Sequence, residues 1–231
     1  MTDIWEKFEE LSEECYIDMS GLEENPGAWE DGFDAFRKAM DMLQKIKPEI
    51  RTLVDLEEET DWRYGLTEWL EDYFDIMDMR GQHKRLGESV DYLMSVLNWE
   101  EDDELNLPFF KAQCMWKMGQ DQDAYDYCRE WNKKQPDNPL TVAAMIYACI
   151  HLKNYEEGKQ YAESVIGEKT KCDEDNDVIF TAAAKLAEAM GDSKWKKSLE
   201  KRAQEYEELL EKEMMEEFEE FDDMEDFELP F

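Results

Sequence analysis

Glycine and proline are scarce, at 10 and 6 of 231 residues, and that scarcity excludes a turn-dense β fold or a low-complexity linker chain. Long apolar runs are missing too. The longest, VAAMIYACI from Val142 to Ile150, falls far short of the roughly 20 residues needed to cross a bilayer and reads as a buried helix. Cysteine is sparse and irregular: Cys15, Cys114, Cys128, Cys149 and Cys172 are odd in number and contain no CxxC. A disulfide framework or zinc site is therefore not expected, and a reducing, cytoplasmic setting is.

Positive charge is the largest deficit, with 26 lysines and arginines against 61 acids and a formal net charge of -35. No electropositive footprint for nucleic acid or for an anionic membrane surface is expected from such a balance. The opening MTDIWEKFEELSEE places acids where an export signal carries a basic and then an apolar segment, so no such signal is expected. Catalytic patterns are lacking as well, since HExxH, GxSxG, GxGxxG and the phosphate-loop glycines do not occur. The acidic run Asp173 to Asp177 has Val178 where a calcium loop needs glycine and Ala184 where it needs the closing glutamate. The expectation is a chain without catalysis, cofactor or metal.

What is present is helical periodicity, and the expected class is all-α. Ile4, Trp5, Phe8, Leu11 and Cys15 recur at spacings of three and four up to Ser20-Gly21. After GLEENPG, a stripe of Trp29, Phe33, Phe36, Ala39, Met40 and Leu43 runs towards Pro48, which ends it. A short bridging helix is expected within Glu49 to Glu59. Trp62, Leu66, Trp69, Leu70, Tyr73, Phe74 and Met77 form the next stripe up to Gly81, and Leu86, Val90, Leu93, Val96 and Leu97 the helix that returns. Helices joined by so few residues lie antiparallel, and stacking of successive pairs is the expected way to cover their apolar faces.

A period near 34 supports that stacking. Gly119-Gln120-Asp121-Gln122-Asp123-Ala124 aligns with Lys153-Asn154-Tyr155-Glu156-Glu157-Gly158, 34 residues on. In this register one unit runs from Leu105 to Asn138, with Ala112 and Ala124 at close helix approaches, Gly119 closing the first helix and Pro136 ending the second. On these residues, and on LKNYEEGKQYAESVI from Leu152 to Ile166, the chain resembles the tetratricopeptide repeat, most clearly over residues 62–205. Departures are Trp131, Ile146 and Gly158 at small-residue positions, and intervals of 38 residues from Gly81 to Gly119 and from Lys153 to Gly191. The loop GEKTKCDEDND supplies the second insertion.

The resemblance implies an α-solenoid of stacked antiparallel hairpins over residues 1–205, wound as a right-handed superhelix. Its first helices would line a concave groove that holds a peptide or helix of another protein. Carried over by position, the groove would contain Phe109, Gln113, Trp116 and Lys117 from one unit, Tyr147 and His151 from the next, and the acidic strip Glu71, Asp75 and Asp78 from the one before. Such a groove suits a basic peptide with apolar anchors. Phe109, Gln113, Ala143 and Tyr147 stand where some members of the family place a lysine and asparagine clamp for a carboxylate terminus, so that kind of receptor is not expected.

Residues 206–231 read as an acidic amphipathic tail, expected to be helical to about Glu217 and disordered beyond. From Glu205 it interleaves acids with Met214, Met215, Phe218, Phe221, Met224 and Phe227. It admits a second reading: a mimic of nucleic acid that binds a basic protein through its acidic surface and tail. The basic cluster Lys194, Lys196, Lys197, Lys201 and Arg202 just upstream would offer the tail a surface to fold back on.

Overall fold

A computed structural model describes residues 4–21, 25–99 and 105–224, with side chains for all of these except 213 and 216–224. The described residues form eleven α-helices and no strand. None of these helices is long and apolar enough to cross a membrane. The chain divides into two compact units, Met1–Gly119 and Gln120–Phe231.

The first unit holds α1 (Glu6–Met19), α2 (Ala28–Ile46), α3 (Leu53–Glu59), α4 (Leu66–Met79), α5 (His83–Val96) and α6 (Leu107–Lys117). Chain neighbours pack: α1 on α2, α4 on α5, α5 on α6, while α2 and α3 both meet α4. The core is a set of stacked rings. Trp29 lies 5.7 Å from Trp69, Trp69 lies 5.7 Å from Tyr73, and Tyr73 lies 4.7 Å from Phe33, each pair close to parallel. Gly32 lets α2 approach this stack, because a Cβ there would come within 2.9 Å of the Trp69 ring and 3.0 Å of Cys15 Sγ. Tyr73 meets its one buried polar need through Ser89, with 2.8 Å between the hydroxyl oxygens.

The expected start of α4 is displaced. Apolar spacing makes Trp62 the first residue of that stripe, but it is 63% exposed and the helix begins at Leu66. The reason is local: α3 ends at Glu59, the Trp62 backbone N–H bonds to the Glu57 carbonyl, and Asp61 and Trp62 both take left-handed φ values, 51° and 56°. The Glu57 carboxylate is buried and accepts the Thr67 backbone N–H at 2.8 Å, capping the first turn of α4 from outside.

The second unit holds α7 (Asp121–Lys134), α8 (Pro139–His151), α9 (Tyr155–Val165), α10 (Asp177–Met190) and α11 (Ser193–Met224). Helix α8 meets α7, α9 and α10, which is why its sequence is apolar almost all round. Thr141, its one fully buried polar side chain, donates to the Gln135 and Asn138 carbonyls and accepts from Asn132. Gly158 sits where α9 comes closest to its neighbours: a Cβ would lie 3.0 Å from Cys149 Cβ and 3.3 Å from Leu186. An alanine here, as at the aligned Ala124, would already be crowded.

One turn recurs. Gly21, Gly81, Gly119, Lys153 and Gly191 each follow a helix with φ of 72°, 68°, 71°, 59° and 74°. In each, the N–H of the left-handed residue bonds to the carbonyl three residues back. At three of them the next N–H reaches five residues back: Gln82 to Met77, Asn154 to Cys149 and Asp192 to Ala187. Gln82, Gln120 and Asn154 then share nearly one conformation, with φ of -85°, -91° and -91° and ψ of 42°, 49° and 59°. The aligned hexads beginning at Gly119 and Lys153 thus fall on matching turns.

The loop that lengthens the interval before Gly191 is pinned down. Arg202 of α11 donates to the Gly167 and Thr170 carbonyls and lies 4.8 Å above the Phe180 ring. Asn176, the residue of the calcium-like run with the most buried side chain, donates to the Lys171 carbonyl and accepts the Asp173 N–H. Helix α11 continues to Met224, seven residues past the expected end at Glu217, because spacings of three and four and good helix formers persist there. A single helix cannot fold back on its own first turns, so the cluster from Lys194 to Arg202 is out of reach of residues up to Met224. The expected disorder of residues 225–231 lies outside the described residues.

Candidate functional site

Helix α4 sorts its residues by period. Leu66, Trp69, Leu70, Tyr73, Phe74 and Met77 are buried, which leaves Glu68, Glu71, Asp75 and Met79 exposed. Asp78 lies three residues beyond Asp75 and seven beyond Glu71, so the three expected acids follow one face over two turns. Asp78 is half-buried and shared: its Oδ2 is 3.5 Å from Lys117 Nζ, and its Oδ1 is 3.2 Å from His83 Nδ1. Asp78 and Lys117, two of the expected groove residues, are thus brought into contact with each other. No lysine or arginine among the described residues forms an ion pair with Glu68, Glu71 or Asp75.

The end of α1 borders this strip. Burial, and then Asp72 and Glu68, push the Tyr16 hydroxyl pKa well above its ordinary value. Arg80, just after α4, pairs with Asp18 of α1 and donates to the Pro26 carbonyl. Burial alone would raise the Asp18 pKa, but Arg80 and the Asn25 backbone N–H outweigh it and hold the carboxyl below its usual value. Glu68, which repeat position also selects, and Tyr16 and Asp72, which it does not, thus join the strip. Helical spacing on α4 is enough to find Glu68 and Asp72; nothing in the sequence places Tyr16 beside them.

On α6, Phe109 and Gln113 are half-buried and Lys117 is exposed. Trp116 meets Phe109 edge to face, with centroids 6.0 Å apart, and is only 8% exposed. Its indole is part of the packing of the free chain. In the second unit Tyr147 is half-buried against the core, and that burial raises its hydroxyl pKa. His151 is exposed at the end of α8, its Nδ1 3.6 Å from Asp121 Oδ1. The expected site residues thus differ widely in exposure: Glu71, Asp75, Lys117 and His151 face solvent, Asp78, Phe109, Gln113 and Tyr147 are partly covered, and Trp116 is buried.

Thiol chemistry has poor conditions. Burial pushes Cys15, Cys114, Cys128 and Cys149 up to about 12 and Cys172 up to about 11, so all five remain protonated at neutral pH. Among the described residues, no group of three or more histidine, cysteine, aspartate or glutamate side chains is arranged to hold a metal ion. Two surface concavities are shallow and polar in part. One of about 340 Å³ is bordered by Trp5, Leu43, Thr60 and Tyr64, and one of about 230 Å³ by Thr170, Cys172, Arg202 and Tyr206. Neither contains any of the expected site residues. No protein-family model, curated protein or solved structure matches the chain.

Proposed function

We propose that the chain is a non-catalytic interaction scaffold of tetratricopeptide-like hairpins, and that its first unit captures a basic peptide or helix of a partner protein along α4. The recurring left-handed turn supports the repeat reading, as do contacts between helices two apart in sequence: α8 with α10, and Tyr125 of α7 with Glu157 of α9 at 2.7 Å. A stack of hairpins brings alternate helices together in this way. The observation that carries the binding role is the row Glu68, Glu71 and Asp75, exposed on a rigid helix and not neutralised within the described chain. Carboxylates held on one face without internal cations favour an approaching lysine or arginine, and Phe109 offers apolar area on the neighbouring helix surface. A reducing, cytoplasmic setting fits five buried free thiols.

The test is a double charge reversal, Glu71→Lys with Asp75→Lys, read by fluorescence anisotropy of a labelled lysine-rich peptide with alanine at its remaining positions. Affinity is expected to fall at least tenfold with the circular dichroism spectrum unchanged. Unchanged affinity would remove α4 from the binding surface. Binding that survives reversal yet vanishes at 0.5 M salt (roughly a 4 Å screening length) would instead favour the nucleic-acid mimic, in which charge acts diffusely. Trp116→Ala is a poor probe here, because a buried indole reports on stability first.

A further inference from the structure

Helix α11 is too long for its partner. Its 32 residues span about 48 Å, whereas α10, the helix it packs on, has 14 residues and spans about 21 Å. Exposure changes accordingly along one stripe: Leu199 is fully buried and Ala203 and Tyr206 are half-buried, but Leu210 and Met214, with Leu209 at the stripe's edge, are 39%, 53% and 50% exposed. The sequence continues this stripe with Phe218, Phe221 and Met224. Residues 207–224 also hold ten acids and one lysine.

The geometry points to the part of α11 beyond Tyr206 as a docking helix, which lays its apolar stripe into an apolar groove rimmed by lysine and arginine on a partner protein. An amphipathic helix offered in this way is read through anchors three and four residues apart, here Leu210, Met214 and their successors. Charge selects the occupant. A second copy would set carboxylates against carboxylates along the whole contact, on chains that each carry -35. The chain's own lysine cluster lies at the start of the same continuous helix and cannot turn back to cover it. A basic rim supplies the missing counter-charge, and an apolar floor covers the leucine and methionine side chains. This surface is separate from the α4 strip and does not depend on it.

The experiment uses the full chain and two synthetic helical peptides of equal charge. One has leucine along one face and lysine elsewhere; the other has alanine for each leucine. At 0.3 M salt, titration calorimetry is expected to show the leucine peptide binding at least tenfold more tightly than the alanine peptide. The advantage should disappear in Leu210→Asp/Met214→Asp and persist in Glu71→Lys/Asp75→Lys, which separates this surface from the α4 strip. Leu210→Gln/Met214→Gln repeats the test without adding charge. Equal affinity of the two peptides would overturn the proposal, as would an advantage retained in both tail variants. A wild-type dimer in sedimentation that Leu210→Asp/Met214→Asp dissolves would assign the stripe to a second copy instead.

Discussion

At the scale of single residues, backbone conformation and close approach decide more than side-chain chemistry. Lys153 takes the left-handed conformation that glycine takes at the four matching turns. A side chain there costs roughly 1–2 kcal/mol, while glycine loses about 0.5–1 kcal/mol more entropy on folding. Lys153→Gly is therefore expected to stabilise the chain by about 1 kcal/mol, measured by urea denaturation. Two helical glycines should behave in opposite ways. Gly87 has room for a methyl group, since a Cβ placed there would lie 3.5 Å from Cys114 Cβ, so Gly87→Ala should gain about 0.5–1 kcal/mol from helix propensity. Gly32→Ala drives a methyl group into the Trp69 ring and should lose about 1–3 kcal/mol. The match between Gly119 and Lys153 is legible in the sequence as an offset. The crowding at Gly32 is not, because it depends on a tryptophan 37 residues away in the chain.

At the scale of elements, periodicity locates the helices and fails where tertiary hydrogen bonds intervene. The stripes of α1, α2 and α5 are readable from spacing, and α8 from its unbroken apolar run. Spacing misplaces Trp62 because the Glu57 carbonyl and carboxylate organise the α3 to α4 turn, and neither bond leaves a mark on apolar period. The acidic face of α4 is legible as a charge row; its junction with Tyr16 and Asp18 of α1 is not. That junction has a pH signature. The Asp18 pKa is lowered on folding, so its contribution is present above the unfolded value near 3.8 and is lost as pH falls through the lower folded value. Wild type should exceed Asp18→Asn in stability at pH 6, and the difference should close as the pH falls through the lowered Asp18 value, followed by denaturant titration at each pH.

For the whole molecule, composition announces an all-helical protein, and the hairpin turns repeat along both units. The division at Gly119 is hidden from the sequence, since it falls inside a stretch that reads as one repeat and has no linker composition. The acid surplus belongs to the same scale: on α4 it leaves Glu68, Glu71 and Asp75 without a lysine or arginine partner among the described residues, and on that row the proposal of a basic partner rests. Hydrogen exchange of the full chain, with and without the leucine-anchored lysine peptide, tests the central claim most directly. Exchange should slow in α4 and the adjoining end of α1 on peptide addition, and that protection should be lost in Glu71→Lys/Asp75→Lys. Protection that leaves α4 unchanged in the wild-type chain would contradict the claim.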